Sequence, residues 1–271
     1  MKVIYIPRGK AREYSPLAVN LYSGCGHKCS YCYVPNVLRM DRSKFDNEVS
    51  ERNDIIKDLE KDAKKIYGSD KQVFMSFTTD PYNPLNDNSK LTRQALQIFL
   101  ENKIPVSLLT KSGMKATQDI DIIKNFGSHI KIGASLTYNN AKDSQRIERS
   151  AALPMERLKM LKYFWTKGVR TWVSFEPIMD PEQMLNLLYL SIPFVDEYQF
   201  GKLADDKRSF NWNNIVETIV MRLRNYNKPF YIKKTLRQAA PDVVLTEQEK
   251  DLDFLILPKF EDNKELIFEL K

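Results

Sequence analysis

The stretch that decides the reading of this chain runs Gly24-Cys25-Gly26-His27-Lys28-Cys29-Ser30-Tyr31-Cys32-Tyr33. It contains every cysteine of the chain, three in all, at the spacing C-x3-C-x2-C. An odd number of cysteines packed so closely does not build a disulfide framework. Thiolates at such short spacing reach three corners of one compact metal centre. A cubane iron–sulfur cluster is usually held by four cysteines. Three ligands therefore leave one iron open to an exogenous ligand, by the logic of catalytic zinc sites. The spacing predicts a [4Fe-4S] cluster on Cys25, Cys29 and Cys32 with one site-differentiated iron. Two other readings stay open at this point. One is a structural Cys3His zinc site completed by His27 or His129, the two histidines of the chain. His27 lies inside the loop, which makes simultaneous ligation awkward. The other is three free thiols in a reduced protein.

Working outward, short apolar runs alternate with helical patterns. Residues 17–22 read as a first strand that delivers the chain into the cysteine loop. Ile55, Ile56, Leu59, Ala63 and Ile66 then recur at helical spacing, with Gly68 as the stop. Further strands are expected at 72–77, 105–110, 129–137, 169–175 and 194–200, with 230–232 as one more short strand. The intervening helices carry Leu91, Ala95, Ile98 and Phe99; residues 120–126; Met155, Leu158, Leu161 and Trp165; and Ile215, Val216, Ile219, Val220 and Leu223. Asp180 reads as an N-cap, with Pro181 at the first helical position and Gln183 placed for a capping box. About six βα units in a row predict a parallel sheet with right-handed crossovers, either doubly wound or barrel-like. Function in both architectures sits at the carboxyl ends of the strands. There the sequence places the cysteine loop, Thr78-Thr79-Asp80, Lys111-Ser112, Ser135 with Thr137, Glu176-Pro177 and Gly201-Lys202.

Composition narrows the class. The chain has 271 residues, 42% hydrophobic and 28% charged, long enough for one large domain or two small ones. It carries no internal repeat at solenoid periods. No apolar run is long enough to span a membrane, and the apolar stretch at the N-terminus is too short for a secretory signal. A cytoplasmic, membrane-free protein is expected. The net charge of +7 is a weak pointer to a polyanionic partner.

The cysteine loop after the first strand, with Tyr31 before the last cysteine, resembles the radical S-adenosylmethionine superfamily. That resemblance implies a [4Fe-4S] cluster whose open iron chelates S-adenosylmethionine. It also implies reductive cleavage to a 5′-deoxyadenosyl radical, hydrogen abstraction from a substrate, and a partial (βα)6 barrel core. It implies an external electron donor such as a flavodoxin or ferredoxin. A narrower resemblance covers residues 15 to about 180. Asn20-Leu21-Tyr22, Thr79-Asp80-Pro81-Tyr82 with Pro84, Leu91-Thr92-Arg93, Thr110-Lys111-Ser112, Ser135 with Thr137, Arg146-Ile147-Glu148-Arg149 and Arg157-Leu158 together resemble the photolyase-like branch related to spore photoproduct lyase.

The resemblance carries roles onto individual residues. Tyr31 is expected against the adenine, and Thr78, Thr79 and Asp80 at the methionine amine. Lys111 and Ser135 are expected at the carboxylate and ribose, which suits an ammonium and a hydroxyl. Glu176 is expected to line the adenine site or to bind substrate. Tyr33 matches a tyrosine of the branch's hydrogen-atom relay. One departure matters: relatives in that branch carry a cysteine just before the strand-two step, and this chain has Phe77. Faithful photoproduct repair is therefore not expected, nor are auxiliary clusters on further cysteines. Glu148 and Arg149 are read as a pair, on ligand or on a surface helix.

Residues 1–204 are expected to form the barrel core. Residues 205–271 are expected to add the last helix and a short C-terminal extension of the same domain, without a legible motif and placed to set substrate access. Arg222, Arg224, Lys228, Lys233, Lys234 and Arg237 fall there without an intervening acid, interleaved with Tyr226, Phe230 and Tyr231. Basic groups track phosphates and aromatic rings stack on bases, so this stretch is the candidate nucleic-acid contact. The reading from another class is a zinc-stabilised basic nucleic-acid-binding module without catalysis.

Overall fold

The computed structural model describes residues 2–204, 206 and 208–261. Its main sheet has seven strands, all parallel and in chain order. They are β1 (Leu17–Val19), β2 (Val73–Met75), β3 (Val106–Thr110), β4 (Ile130–Ser135), β5 (Arg170–Ile178), β6 (Glu197–Lys202) and β7 (Phe230–Ile232). A doubly wound sheet reverses its order at a switch point. This order never reverses, and β1 and β7 remain edges, so the sheet curls into a partial barrel with an open seam.

Each connection contains a helix: α1 (Ile55–Lys65), α2 (Leu91–Glu101), α3 (Ile120–Asn125), α4 (Pro154–Thr166), α5 (Pro181–Ser191) and α6 (Trp212–Asn225). Their apolar stripes pack on the outer face of the sheet. Leu59, Ala63, Ala95, Phe99, Leu161, Phe164, Val216 and Leu223 meet Val73, Met75, Val106, Leu108, Ile132, Val173 and Phe200, all buried. Burying each large side chain of that core contributes about 1.5–3 kcal/mol. Asp180 caps α5 by accepting from the Gln183 N–H at 3.0 Å. The Gln183 side chain does not complete a capping box. Its oxygen accepts from the N–H groups of Asn139 and Asn140, which ties the loop after β4 to the helix after β5.

The inner face is different in character. Ala18, Phe74 and Trp172 form a small aromatic floor joined by Tyr14 and Phe77. Trp172 crosses Gly133 so closely that a Cβ there would lie 2.4 Å from the indole, and only glycine leaves that space. Ser135, Ser174, Gln199 and Tyr231 are register partners in one row from β4 to β7.

The N-terminal end of the barrel is closed. Buried Lys131 pairs with Glu197 and bonds the Leu255 carbonyl, and Arg170 reaches the other Glu197 oxygen at 2.9 Å. Leu252 and Leu255 pack on Tyr231. The extension expected to set substrate access therefore lies, through residues 252–257, at the end opposite the cysteine loop; residues 262–271 lie outside the described residues. The segment before β1 covers the seam. Tyr5 pairs antiparallel with Ala18, the turn Gly9–Glu13 follows, and Glu13 accepts from the Tyr231 hydroxyl and the Lys234 N–H, each at 2.7 Å. Among the described residues, no helix is long and apolar enough to cross a membrane.

Candidate active site at the cysteine mouth

The cysteine loop leaves the carboxyl end of β1 and is pinned by backbone from two sides. The Cys25 N–H donates to Phe45 O at 2.9 Å, and the Ser30 N–H donates to Ile147 O at 2.8 Å. Cys29 forms an isolated bridge with Glu148. Gly24 has φ +78°, and a Cβ on it would strike Phe45 O at 2.9 Å. Burial pushes the Cys25 thiol up to about 12 and the Cys29 thiol up to about 11. A metal ion deprotonates such thiols outright.

Asp80 locks this loop to the strand ends. Its carboxylate is 6% exposed and accepts from the Thr110 hydroxyl (2.7 Å), the Lys111 N–H (2.7 Å), the Ser112 hydroxyl (3.0 Å) and the Tyr82 N–H (2.9 Å). His27 Nε2 lies 3.0 Å from it. Burial alone would raise this carboxyl, but His27 and the donated hydrogen bonds hold it well below the usual range. His27 Nδ1 faces Ser150 O at 3.3 Å. His27 is therefore committed to the Asp80 network. His129 stacks on Phe260 before β4, at the other end of the sheet. Neither histidine is placed to complete a zinc site with the cysteines. Among the described residues, no three His, Cys, Asp or Glu side chains are gathered to grip one ion. In a cubane each thiolate binds a different iron, so the ligands of one cluster need not gather on a single ion.

A second buried charge network backs the loop. Glu148, 1% exposed, takes the Tyr31 hydroxyl on one oxygen and the Arg157 guanidinium on the other, at 2.6 Å. Burial pushes the Glu148 carboxyl up, but the Arg157 and Lys111 charges and those hydrogen bonds bring it down to about 2. Arg157, fully buried on α4, also donates to Ser135 O and Ala152 O, each at 2.8 Å. Lys111 Nζ lies 5.8 Å from the centre of the Tyr31 ring. Glu148 thus pairs with Arg157 rather than Arg149, and it is interior rather than on a surface helix. A lone arginine on the apolar stripe of α4 was the signal for this.

The structure brings Cys25, Cys29, Cys32, Tyr31, Thr79, Asp80, Lys111 and Ser135 to the same end of the barrel. Thr79 Oγ1 and Thr137 Oγ1 are buried there without a protein partner. Thr78 donates its N–H to Asn20 at 3.0 Å. Tyr33 is 56% exposed. Glu176, on β5, takes both the Tyr14 hydroxyl and the Lys233 ammonium. Gly201 on β6 makes room, since a Cβ there would lie 2.6 Å from Glu176 Oε1. Lys233 Nζ also sits 3.0 Å from the centre of the Tyr14 ring. Tyr14, Ser174 and Gln199 were not singled out in the sequence. They complete this inner wall, and both polar atoms of the Gln199 side chain are buried without a partner.

The basic stretch does not form the expected face. Lys233 is 1% exposed and points inward. Arg224 is paired with Glu249, and Lys228 and Arg237 are spent on backbone carbonyls. Lys228 precedes β7 and Lys234 follows it, at opposite ends of the strand.

Comparison with known proteins places this arrangement. The model of the radical SAM superfamily matches residues 19–186. The uncharacterized protein MJ0683 of Methanocaldococcus jannaschii is 27% identical over 243 residues, which cover 86% of this chain and 86% of that protein. Streptococcus suis SuiB bound to S-adenosylmethionine superposes with a TM-score of 0.61 at 17% identity, over 85% of this chain and 53% of that one. Spore photoproduct lyase complexed with dinucleoside spore photoproduct gives 0.58 at 14% identity, over 89% of this chain and 65% of that one. This chain spans about half to two thirds of the length of those two structures, and the likeness to them is one of fold.

Proposed function

The chain belongs to the radical SAM superfamily, and on that premise we propose that it holds a [4Fe-4S] cluster on Cys25, Cys29 and Cys32 and binds S-adenosylmethionine at the iron left without a protein ligand. The observation that carries this is one donor set with one gap in it. Three thiols share one loop, and buried hydroxyls without partners stand at the ends of β2 and β4 beside it. A buried polar atom left unpaired costs about 1–3 kcal/mol; a bound ligand removes that cost.

The chemistry supplied by the bound pair is one-electron cleavage of S-adenosylmethionine to a 5′-deoxyadenosyl radical that takes a hydrogen atom from substrate. The protein's residues bind, orient and shield. Thr78 and Thr79 receive the methionine amine. Lys111 offers a point charge to the carboxylate, and Ser135 a hydroxyl to the ribose. Tyr31 is held by Glu148 as a wall for the adenine. Asp80 already accepts from Thr110, Lys111 and Tyr82 and faces His27 and Ser112, so its part is to hold the cysteine loop against β2 and β3. Glu176 and Lys233 face the concave wall, where substrate enters, and exposed Tyr33 stands at the mouth as the hydrogen-atom relay. The scattered basic stretch gives a nucleic-acid substrate little support, so the substrate is defined here only as a molecule that reaches the inner wall through this mouth.

The test is anaerobic reconstitution with iron and sulfide, then EPR of the reduced protein with and without S-adenosylmethionine. A reduced [4Fe-4S] signal that changes on addition is expected. Stoichiometric zinc with no cluster signal would overturn the reading.

A further inference from the structure

A cleft of about 580 Å³ opens between the loops that follow β4, β5 and β6. It adjoins the mouth: Tyr138 stands three residues past Ser135, and Met179 three past Glu176. Its volume falls in the range of small-molecule sites. Tyr138 is 7% exposed, and its hydroxyl has no hydrogen-bond partner among the described residues. The charged groups that act on that hydroxyl are Arg146, Arg208, Asp143 and Asp180, all walls of the cleft, so it points inward. The cations of the cleft are spent. Arg208 lays Nε and Nη2 on the Asp206 carboxylate, each at 2.7 Å, gives Nη1 to Met179 O, and lies over the Phe210 ring. Arg146 reaches Asp143 at 3.5 Å. Lys142 and Lys202, the other described cations of these loops, are not among the walls. The acids are less engaged. Asp180 takes only Gln183, through its N–H and its side chain, and Glu182 has no partner among the described residues. Gln183 Nε2 lies 3.0 Å from Asp143 and 3.3 Å from Asp180, which holds two carboxylates from separate helices side by side. First turns of helices favour acids, and that accounts for each acid by itself. It does not account for their meeting in one cleft beside a buried, unbonded hydroxyl.

We propose that this cleft is a substrate subsite for a primary alkylammonium group on an aliphatic stem, carried by a free amine or by a lysyl side chain. The ammonium sits among Asp143, Asp180 and the Tyr138 hydroxyl, where its three donors meet three acceptors. The Tyr138 ring adds cation–π attraction. The stem lies along Met179, Pro181 and Ile215, the apolar walls. An anionic group finds no unpaired cation on the described walls, and a neutral alkyl group leaves Asp180 and the Tyr138 hydroxyl without a partner. The subsite deepens the proposed function and rests on it for its use. It anchors a part of the substrate remote from the reacting carbon, and that binding energy orients the rest at the inner wall.

The experiment follows the ring signals of carbon-13-labelled tyrosine by NMR in the full chain, without and with the reconstituted cluster. The signal missing from Tyr138→Phe identifies Tyr138. It is titrated with n-pentylamine and with Nα-acetyl-lysine N-methylamide, and with pentanol and pentanoate as controls that keep the stem and change the charge. The amines are expected to shift it, and each control to bind about tenfold more weakly or worse. Asp143→Asn combined with Asp180→Asn should raise the Kd for the amines about tenfold or more. It should leave the melting temperature nearly unchanged, because Asn also caps α5. Tighter binding of the lysine derivative assigns the subsite to a lysyl side chain, and tighter binding of pentylamine to a free amine. A Tyr138 signal that neither amine moves overturns the proposal. So does pentanol or pentanoate that binds as tightly as pentylamine, or a wild-type Kd in the double variant. The titration without the cluster stands apart from reconstitution. A chain that builds no cluster yet binds the amine loses the proposed function and keeps the ligand of the cleft.

Discussion

The Tyr31 hydroxyl donates to Glu148, 117 residues further along the chain. The same carboxylate carries the only charge facing the Arg157 guanidinium within hydrogen-bond distance among the described residues. One side chain therefore ties the cysteine loop to α4 and keeps a buried cation compensated. The carboxyl of Glu148 is lowered from its ordinary 4.5 to about 2. A group depressed in the folded state adds stability in full above its ordinary value and loses it as pH falls through the folded value. Glu148→Gln should destabilise the cluster-free chain by about 3–5 kcal/mol at neutral pH, because Arg157 stays buried and unpaired. The gap to wild type should close as pH falls from about 4.5 towards about 2. Thermal melts followed by circular dichroism check this, and a gap that stays constant over that range refutes it.

Asp80 gathers donors from the cysteine loop, the end of β2 and the end of β3. Asp80→Ala should leave the helical signal largely in place but cut iron and sulfide retained after reconstitution to a small fraction of wild type. Full loading of this variant would show that the loop is placed by other contacts.

Thr79 makes a prediction of opposite character. Its hydroxyl has no protein partner, so Thr79→Val should cost no stability. It should weaken S-adenosylmethionine binding about tenfold, the value of one hydrogen bond, while Thr79→Ser keeps it. EPR titration of the reduced cluster gives both affinities, and equal values for the Val variant and wild type would remove Thr79 from the site.

Gly133 sits 2.4 Å from the Trp172 ring once a Cβ is added. Gly133→Ala should cost about 1–3 kcal/mol by overpacking. Combining it with Trp172→Phe should recover part of the loss. A melting temperature unchanged by the single substitution would mean that the indole moves freely.

The barrel was largely legible because parallel strands buried on both faces read as short apolar runs, and each run is followed by its polar cluster. That the three thiols share one loop was legible, because they fall within eight residues. What was hidden depends on partners distant in sequence. Lys233 looks like a member of a basic run until Glu176 on β5 draws it inside. Glu148 looks like half of a surface pair until Arg157 meets it from α4. Gln183 satisfies the local capping pattern, yet its side chain goes to Asn139 and Asn140. Tyr14 carries no motif, because its place is set by Ser174 and Glu176, which lie about 160 residues away. Local pattern gives the scaffold, and the inner wall arises from contacts between strand ends.

The bridge from Glu13 to Tyr231 also sets a timetable for biosynthesis. The two residues are 218 positions apart, so the earlier one leaves the ribosome long before the later one exists. At about 5–20 residues per second, the wait is about 10–40 s. During that interval the nascent barrel has no side wall at its seam, and Phe74 and Phe77 are made well before Trp172 can cover them. The polypeptide thus emerges with its cysteine loop complete and its interior still laterally open. Any ligand of that loop arriving during translation would meet an unfinished vessel.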